Sequence, residues 1–326
     1  MKDIDGIGAV SLVVAATGAD FLLSDYETLI DDLDRVPRDT SSLIICDLGT
    51  DDSTRGEFIE KLAEFASRGC SVTYIDHHYM PARAKKMISK GGIRLVHDAR
   101  ECASMLTYVT FRDSLPSDAM KIALYGAVTD YMDTSPMGRR LMEKTDRHFI
   151  LAESMLLSHA IARVDSESGF RRTVVKELSA MRLPHEIKRV ADLALAQLRA
   201  ETALAKEVKR IGRKEGRLAV VKTTENSTGN VAKLLIGAFD VPLGVSYRDK
   251  EDGWCEVSLR STSELKIHLG KSISQIALRL GGNGGGHMKA AGCRVPRSKV
   301  KEMLRELAKQ IGGSGTAPDR HDEVMP

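Results

Sequence analysis

The run Cys70-Ser71-Val72-Thr73-Tyr74-Ile75-Asp76-His77-His78 decides how this chain is read. Residues 70–75 form a short apolar run, β-branched and aromatic in character, and Gly69 before them is a helix stop, so the run predicts a buried strand. Its carboxyl end carries an acid and two imidazoles. In an open α/β sheet, ligands bind outside the carboxyl ends of the strands. Asp76, His77 and His78 are therefore three metal-competent groups at a ligand-binding edge. One imidazole can ligate a metal while the carboxylate fixes its tautomer from behind. By itself the segment reads equally well as a surface turn carrying two histidines.

The flanking segments repeat the pattern. Ser42–Gly49 is a continuous apolar strand that delivers Asp47, and Asp51-Asp52-Ser53 opens a helix to about Arg68. A basic helix at Pro81–Lys90, a strand at Ile93–Val96 and a helix at Cys102–Arg112 follow. Ile122–Asp130 reads as a buried helix with Asp130 at its end. Nearer the amino end, Gly6–Ala16 is small and apolar, a buried helix stopped by Thr17-Gly18. Asp3 and Asp5 stand on the turn leading into it. Two apart in an extended turn, they point to one side as a pair of hard oxygen ligands would; alternatively they cap the helix N-terminus. Asp20–Leu23 is expected as a strand and Thr28–Val36 as an amphipathic helix. Apolar strands separated by helices predict a parallel sheet covered on both faces. A lone acid after an apolar run is commonly a cap or turn residue. Four apolar segments that each deliver acids or imidazoles are a pattern chance rarely repeats.

Composition bounds the alternatives. A chain of 326 residues suggests about two domains, and a net charge of +3 is too small for a nucleic-acid coat. Five scattered cysteines without a C-x-x-C pair read as reduced thiols in a cytoplasmic protein. No apolar run has the length of a membrane span, and Ile7–Ala16 follows acids rather than a basic region, so it is not a signal peptide.

In the second half, Arg163–Lys214 is mostly helical, broken at Pro184, and reads as a solvated connecting segment. Its nine Lys/Arg against four Asp/Glu between Met181 and Lys214 leave a phosphate-tracking face as the alternative. Leu218–Lys222 is a strand and Ser227–Ile236 a helix capped by Ser227 or Thr228. Val241–Tyr247 and Trp254–Ser261 form a hairpin turned at Asp249–Gly253. Ile273–Leu280 is a helix running into the loop Gly281-Gly282-Asn283-Gly284-Gly285-Gly286-His287. Such a loop bends its N–H groups toward an anion, with His287 as an added donor, or is simply a tight turn. Ser298–Ile311 is a last amphipathic helix, and the tail from 313 to 326 is expected to be disordered.

Together these residues resemble the DHH phosphoesterase superfamily, in the branch with a DHH-associated substrate domain. The resemblance covers about residues 1–312. It rests on D-x-D-G at Asp3–Gly6, strand-terminal Asp47, D-H-H at 76–78, Asp130, and G-G-G-H-x-x-A-A-G at 284–292, in that order. It implies an α/β chain: a doubly wound, mainly parallel DHH domain (1–162), a helical linker (163–214) and a smaller mixed α/β substrate domain (215–312) that closes over the cleft. By resemblance, Asp3, Asp5, Asp47, His77 and Asp130 are ligands of two Mn²⁺ ions, with Asp47 bridging and Mg²⁺ as the alternative ion. Asp76 orients His77, and His78 faces the substrate phosphate. Arg260, in an S-L-R-S strand, and Gly284, Gly285, Gly286 and His287 hold the nucleotide.

Ligand chemistry agrees on its own terms. Carboxylates with an imidazole suit Mn²⁺ or Mg²⁺ rather than a thiolate-held zinc, and two such ions about 4 Å apart serve in-line displacement at phosphorus. One departure stands out. The family pattern is His (or Asp)-x-Asp-x-Asp-Gly after a first strand, whereas here Met1 occupies the first ligand position. A thioether is a poor ligand for a hard ion, so the expectation is a weakened first metal site or a start placed too late. The resemblance implies a cytoplasmic manganese phosphodiesterase/phosphatase similar to nanoRNases and 3′-phosphoadenosine-5′-phosphate phosphatases. Its partners would be short single-stranded oligonucleotides or nucleotides, with no membrane and a homodimer allowed for. The chain ends soon after the G-G-G-H domain, where RecJ-type exonucleases add another, and aromatics are only 5% with no stacking stripe. A compact RecJ-like single-strand exonuclease and a metal-poor binding protein are the alternatives.

Overall fold

The computed structural model describes residues 3–50, 53–164, 168–224 and 228–312, and the chain divides into two compact units, Met1–Leu198 and Arg199–Pro326. Met1, Asp51, Asp52, Ser227 and the tail from 313 to 326 lie outside the described residues.

The first unit begins with helix α1 (Ile4–Thr17), whose C-cap Gly18 takes the left-handed conformation at φ 68°. After α2 (Leu29–Asp34) come three strand–helix repeats: β1 (Ser42–Cys46), α3 (Arg55–Ser67), β2 (Ser71–Asp76), α4 (Ala82–Lys90), β3 (Arg94–His97) and α5 (Ala103–Thr110). Helices α6 (Ala119–Thr129), α7 (Pro136–Met142), α8 (Arg147–Arg163) and α9 (Ser168–Ser179) complete it, with α10 (Val190–Ile211) running across the boundary between units. The sheet has order β1-β2-β3, all parallel, with Ile45 opposite Tyr74 and Ile75 opposite Val96. Alternation along β2 sends Val72 and Tyr74 to one face, where Phe58 and Leu62 of α3 and Ile88 of α4 cover them. On the other face α1 and α5 contact the sheet and join α6, α8 and α9 in a larger core that includes Ile7, Leu12, Met105, Leu124, Leu157 and Val174. Helices on both faces make this a doubly wound α/β unit.

The second unit is a six-stranded mixed sheet of order β4-β5-β6-β7-β9-β8. Its strands are β4 (Arg213–Glu215), β5 (Leu218–Lys222), β6 (Leu243–Asp249), β7 (Trp254–Ser261), β8 (Asn283–Gly286) and β9 (Ala290–Pro296). Helices α12 (Leu269–Arg279) and α13 (Val300–Gly312) pack on one face through Ile273, Met303 and Leu307, and α11 (Thr228–Phe239) packs on the other through Val231 and Leu235.

Three expectations need correction. Asp20–Leu23 is not a strand: Phe21 instead lies under the Arg172 guanidinium, which donates to the Phe21 carbonyl at 3.0 Å. The glycine-rich segment is not a loop throughout, because Asn283–Gly286 pairs antiparallel with β9. Glycine is required there by close approach: a Cβ on Gly284 would meet that of Cys293 at 2.6 Å. The segment after Arg163 is not simply solvated, since Phe170, Val174, Val175 and Leu178 of α9 are buried in the first core. All five cysteines are unpaired. Among the described residues no helix is long and apolar enough to cross a membrane.

Candidate metal centre

The carboxyl ends of β1 and β2 and the ends of α1 and α6 converge. Asp47 directly follows β1 and is fully buried, with its backbone in the left-handed region at φ 57°. Its N–H still donates to the Ile75 carbonyl at 3.0 Å, so the ladder with β2 holds the turn in place. A buried carboxylate normally finds donors, since an unpaired buried charge costs several kcal/mol. Both Asp47 oxygens lack a hydrogen-bond partner. Around them, His77 Nε2 lies 3.4 Å from Asp47 Oδ1, 3.6 Å from Asp130 Oδ2 and 3.8 Å from Asp5 Oδ2. Two groups of ligand atoms result, Asp5/His77/Asp130 and Asp47/His77/His78.

Each side chain is held from behind. Asp5 is not in an extended turn: it sits in the first turn of α1, buried, and accepts from Ala103 N at 2.7 Å and Ser104 N at 2.9 Å. These are orphan amides of the first turn of α5, whose positive dipole end suits a carboxylate. Asp3 is the N-cap of α1, accepting from Gly6 N at 3.0 Å, and it is exposed. It belongs to neither group, although it lines a cavity of about 360 Å³ together with Asp5, Asp130, Ser158 and Arg171. Asp130 is the C-cap of α6.

Asp76 orients His78 rather than His77. Its Oδ1 lies 2.8 Å from His78 Nδ1, and side chains two apart share a side of an extended chain whereas His77 points the other way. The Tyr74 hydroxyl donates to the Leu48 carbonyl at 2.7 Å and lies 3.1 Å from Asp76 Oδ2. Sequence reasoning stopped one residue short of His97, which ends β3 and sets its Nε2 2.8 Å from the His78 carbonyl. It also missed Tyr26, whose hydroxyl lies 3.3 Å from His78 Nε2. Gly49 leaves room for the His78 ring, which a Cβ there would meet at 2.7 Å.

The electrostatics suit a cation. Burial pushes the Asp47 carboxyl up to about 7, with Asp5 and Asp3 adding to the effect. Burial alone would lower His77, but Asp47, Asp5 and Asp130 override it and raise the imidazole to about 9. His78 is raised chiefly by its hydrogen bond to Asp76. Three acids and an imidazole, with two buried carboxylate oxygens unsatisfied, are a donor set that fits a hard divalent ion such as Mn²⁺ or Mg²⁺.

The remaining predicted residues lie in the second unit. Arg260 is on β7, with its guanidinium against Gly229 at the start of α11 and Nη1 donating to the Leu259 carbonyl at 2.9 Å. Gly284, Gly285 and Gly286 lie in β8. His287 is exposed, and its N–H donates to the Ala290 carbonyl at 2.7 Å.

Residues 216–313 match the DHHA1 domain family. The fold resembles that of PggH of Vibrio cholerae, described as a pGpG-specific phosphodiesterase, with TM-score 0.62 and 14% identity over 96% of this chain and 98% of that one. It also resembles the DHH-domain structure of a protein described as a member of a ribosomal-protein family, at TM-score 0.65 and 16% identity, over 95% of this chain and 84% of that one. RecJ of Thermus thermophilus, solved with Mn²⁺, gives 0.63 and 17%, over 99% of this chain but 52% of RecJ, so the chain spans about half of that protein. No curated protein sequence matches. The second unit thus carries a match to the DHHA1 domain family, and the fold overall resembles DHH-domain structures.

Proposed function

We propose that this chain is a divalent-metal-dependent phosphoesterase that hydrolyses phosphate esters of short oligonucleotides or nucleotides. The observation that carries the proposal is Asp47, a fully buried carboxylate with both oxygens unpartnered and His77 and Asp5 beside it. Asp5, Asp47, His77 and Asp130 would hold the ions, and Asp3 would add a carboxylate from the cavity wall. Bound Mn²⁺ or Mg²⁺ supplies Lewis-acid polarisation of water and phosphoryl oxygens. The protein's own contribution is positioning. Asp76 holds His78 Nδ1 and favours the imidazolium, whose Nε2–H, 3.3 Å from the Tyr26 hydroxyl, can be donated to an anionic phosphate oxygen. In the second unit, Arg260 and the Gly284–His287 segment would offer charge-assisted or backbone hydrogen bonds to a nucleotide. PggH, matched over nearly all its length and described as specific for a dinucleotide, supports a dinucleotide-sized substrate.

The test is turnover by the full chain, stripped with EDTA and then given Mn²⁺ or Mg²⁺, on dinucleotides, nucleoside bisphosphates and long single strands. Dinucleotides or bisphosphates should be hydrolysed faster than long strands, and Asp47→Asn should lose activity by orders of magnitude at unchanged fold. Degradation of long strands with dinucleotides spared would favour the exonuclease reading. Equal activity in folded Asp47→Asn protein would remove Asp47 from the centre.

A further inference from the structure

Among the described residues, the exposed large hydrophobic side chains include three aromatic rings, those of Tyr26, Tyr79 and Tyr131. All three neighbour residues of the candidate centre, one in space and two along the chain: Tyr26 touches His78, Tyr79 follows His78, and Tyr131 follows Asp130. Tyr79 and Tyr131 are 83% and 85% exposed, so the fold gains almost nothing from burying them.

Tyr131 also occupies a backbone position that disfavours it. Helix α6 ends in a Schellman turn, with Met132 N–H donating to the Ala127 carbonyl at 2.7 Å and Tyr131 N–H to that of Val128 at 3.3 Å. The residue after the C-cap in such a turn takes the left-handed conformation, and Tyr131 does so at φ 58°. Glycine fills this place without strain, whereas a Cβ-bearing aromatic residue is an outlier there. Strain retained beside a candidate ligand, on a side chain the fold leaves exposed, indicates a role outside the fold.

We infer that Tyr131, with Tyr79, is the platform on which a nucleobase of the substrate stacks while its phosphate is held at the metal centre. The inference rests on the phosphoesterase reading and specifies its substrate: a phosphate ester that carries a base. Isolated flat π faces beside a phosphate site suit a base, which presents its own π face whatever its identity. A protein or lipid partner would need a contiguous apolar patch instead.

The test compares parent, Tyr131→Asn, Tyr131→Gly and Tyr131→Phe as full chains. Asn and Gly tolerate the left-handed backbone but lack the ring; Phe keeps the ring. With a dinucleotide, the Asn and Gly variants should raise KM about tenfold, the scale of one lost base stack, and Phe should match the parent. With the same dinucleotide made abasic, all four should be alike. Tyr131→Gly should also melt about 2 °C higher than the parent, because the strain is relieved. Binding of a 2-aminopurine dinucleotide in EDTA gives a readout free of turnover: the parent should quench its fluorescence and Tyr131→Asn should not. Turnover by the parent with an unchanged KM in Tyr131→Asn would overturn the stacking role alone. Equal KM rises on intact and abasic substrates would assign Tyr131 to the phosphate or to structure, and so would overturn it too. Base quenching by a parent that hydrolyses nothing would instead defeat the phosphoesterase reading and leave the platform standing.

Discussion

Asp5 reaches its place only because residue 126 has no side chain. A Cβ on Gly126 would stand 2.6 Å from Asp5 Oδ1 and still closer to Ser104 Oγ. The small residues of α1 and α6 thus let two helices approach until a carboxylate fits between them. Protonation is the other residue-scale consequence. Asp47 and His77 keep their protons to about pH 7 and about pH 9, above the values of the unfolded chain. The folded state therefore binds more protons than the unfolded state across that window, and stability of the metal-free chain falls as pH rises through it. On the proposed function, cations would replace those protons, so divalent affinity should rise with pH over the same range. Melting in EDTA from about pH 5 to 9 should show a falling midpoint, and excess Mn²⁺ should flatten the curve. A midpoint in EDTA that rises toward pH 9 would contradict the raised pKa values. The convergence was legible in part: Asp5, Asp47, His77 and Asp130, which the structure brings together, are acids or an imidazole at the ends of apolar runs. The Asp76–His78 pairing was missed because assigning Asp76 to its sequence neighbour ignores the alternation of an extended chain. His97 was missed because its strand was ended one residue early.

At the scale of elements, strands and helices with strong apolar character were readable, and β5 and β7 match their expected bounds. What failed was β8, because glycine is depleted in strands and only its surroundings make it extended. Helix α12 supplies them: Leu269 N–H and Gly270 N–H donate to the carbonyls of Met288 at 3.1 Å and His287 at 3.0 Å. The first turn of α12 thus anchors the end of the glycine segment, and a Cβ on Gly270 would collide with the Gly286 carbonyl. Gly270→Ala should cost about 1–3 kcal/mol of stability in the second unit, the usual scale of overpacking. It should also speed amide exchange in residues 283–288. Unchanged melting and exchange would mean that the strand does not depend on this contact. The expected strand at Asp20–Leu23 failed for the opposite reason: it has the composition of a strand but no neighbour in the three-stranded sheet.

Over the whole molecule, each unit has its own buried core, and α10 lends Val190 to the first and Val208 to the second. All the candidate ion ligands lie in the first unit. Calorimetry should therefore resolve two transitions, of which Mn²⁺ raises only the one belonging to the first unit, by the stabilisation that binding to the native state confers. An equal rise in both would show that the ion's effect is not confined there. About two units were foreseeable from chain length; the division between Leu198 and Arg199, inside the expected linker 163–214, was not. The packing of α9 into the first core was not, because its charged face dominates its composition. Across generations Asp47 carries a further meaning. It is buried, unpartnered and left-handed in backbone, so glycine would suit the bare fold better, and a single base change in the codon converts one to the other. A lineage released from the chemistry has a short downhill route away from aspartate at this position. Aspartate kept at this position across relatives would therefore be an inherited record of the proposed chemistry in use.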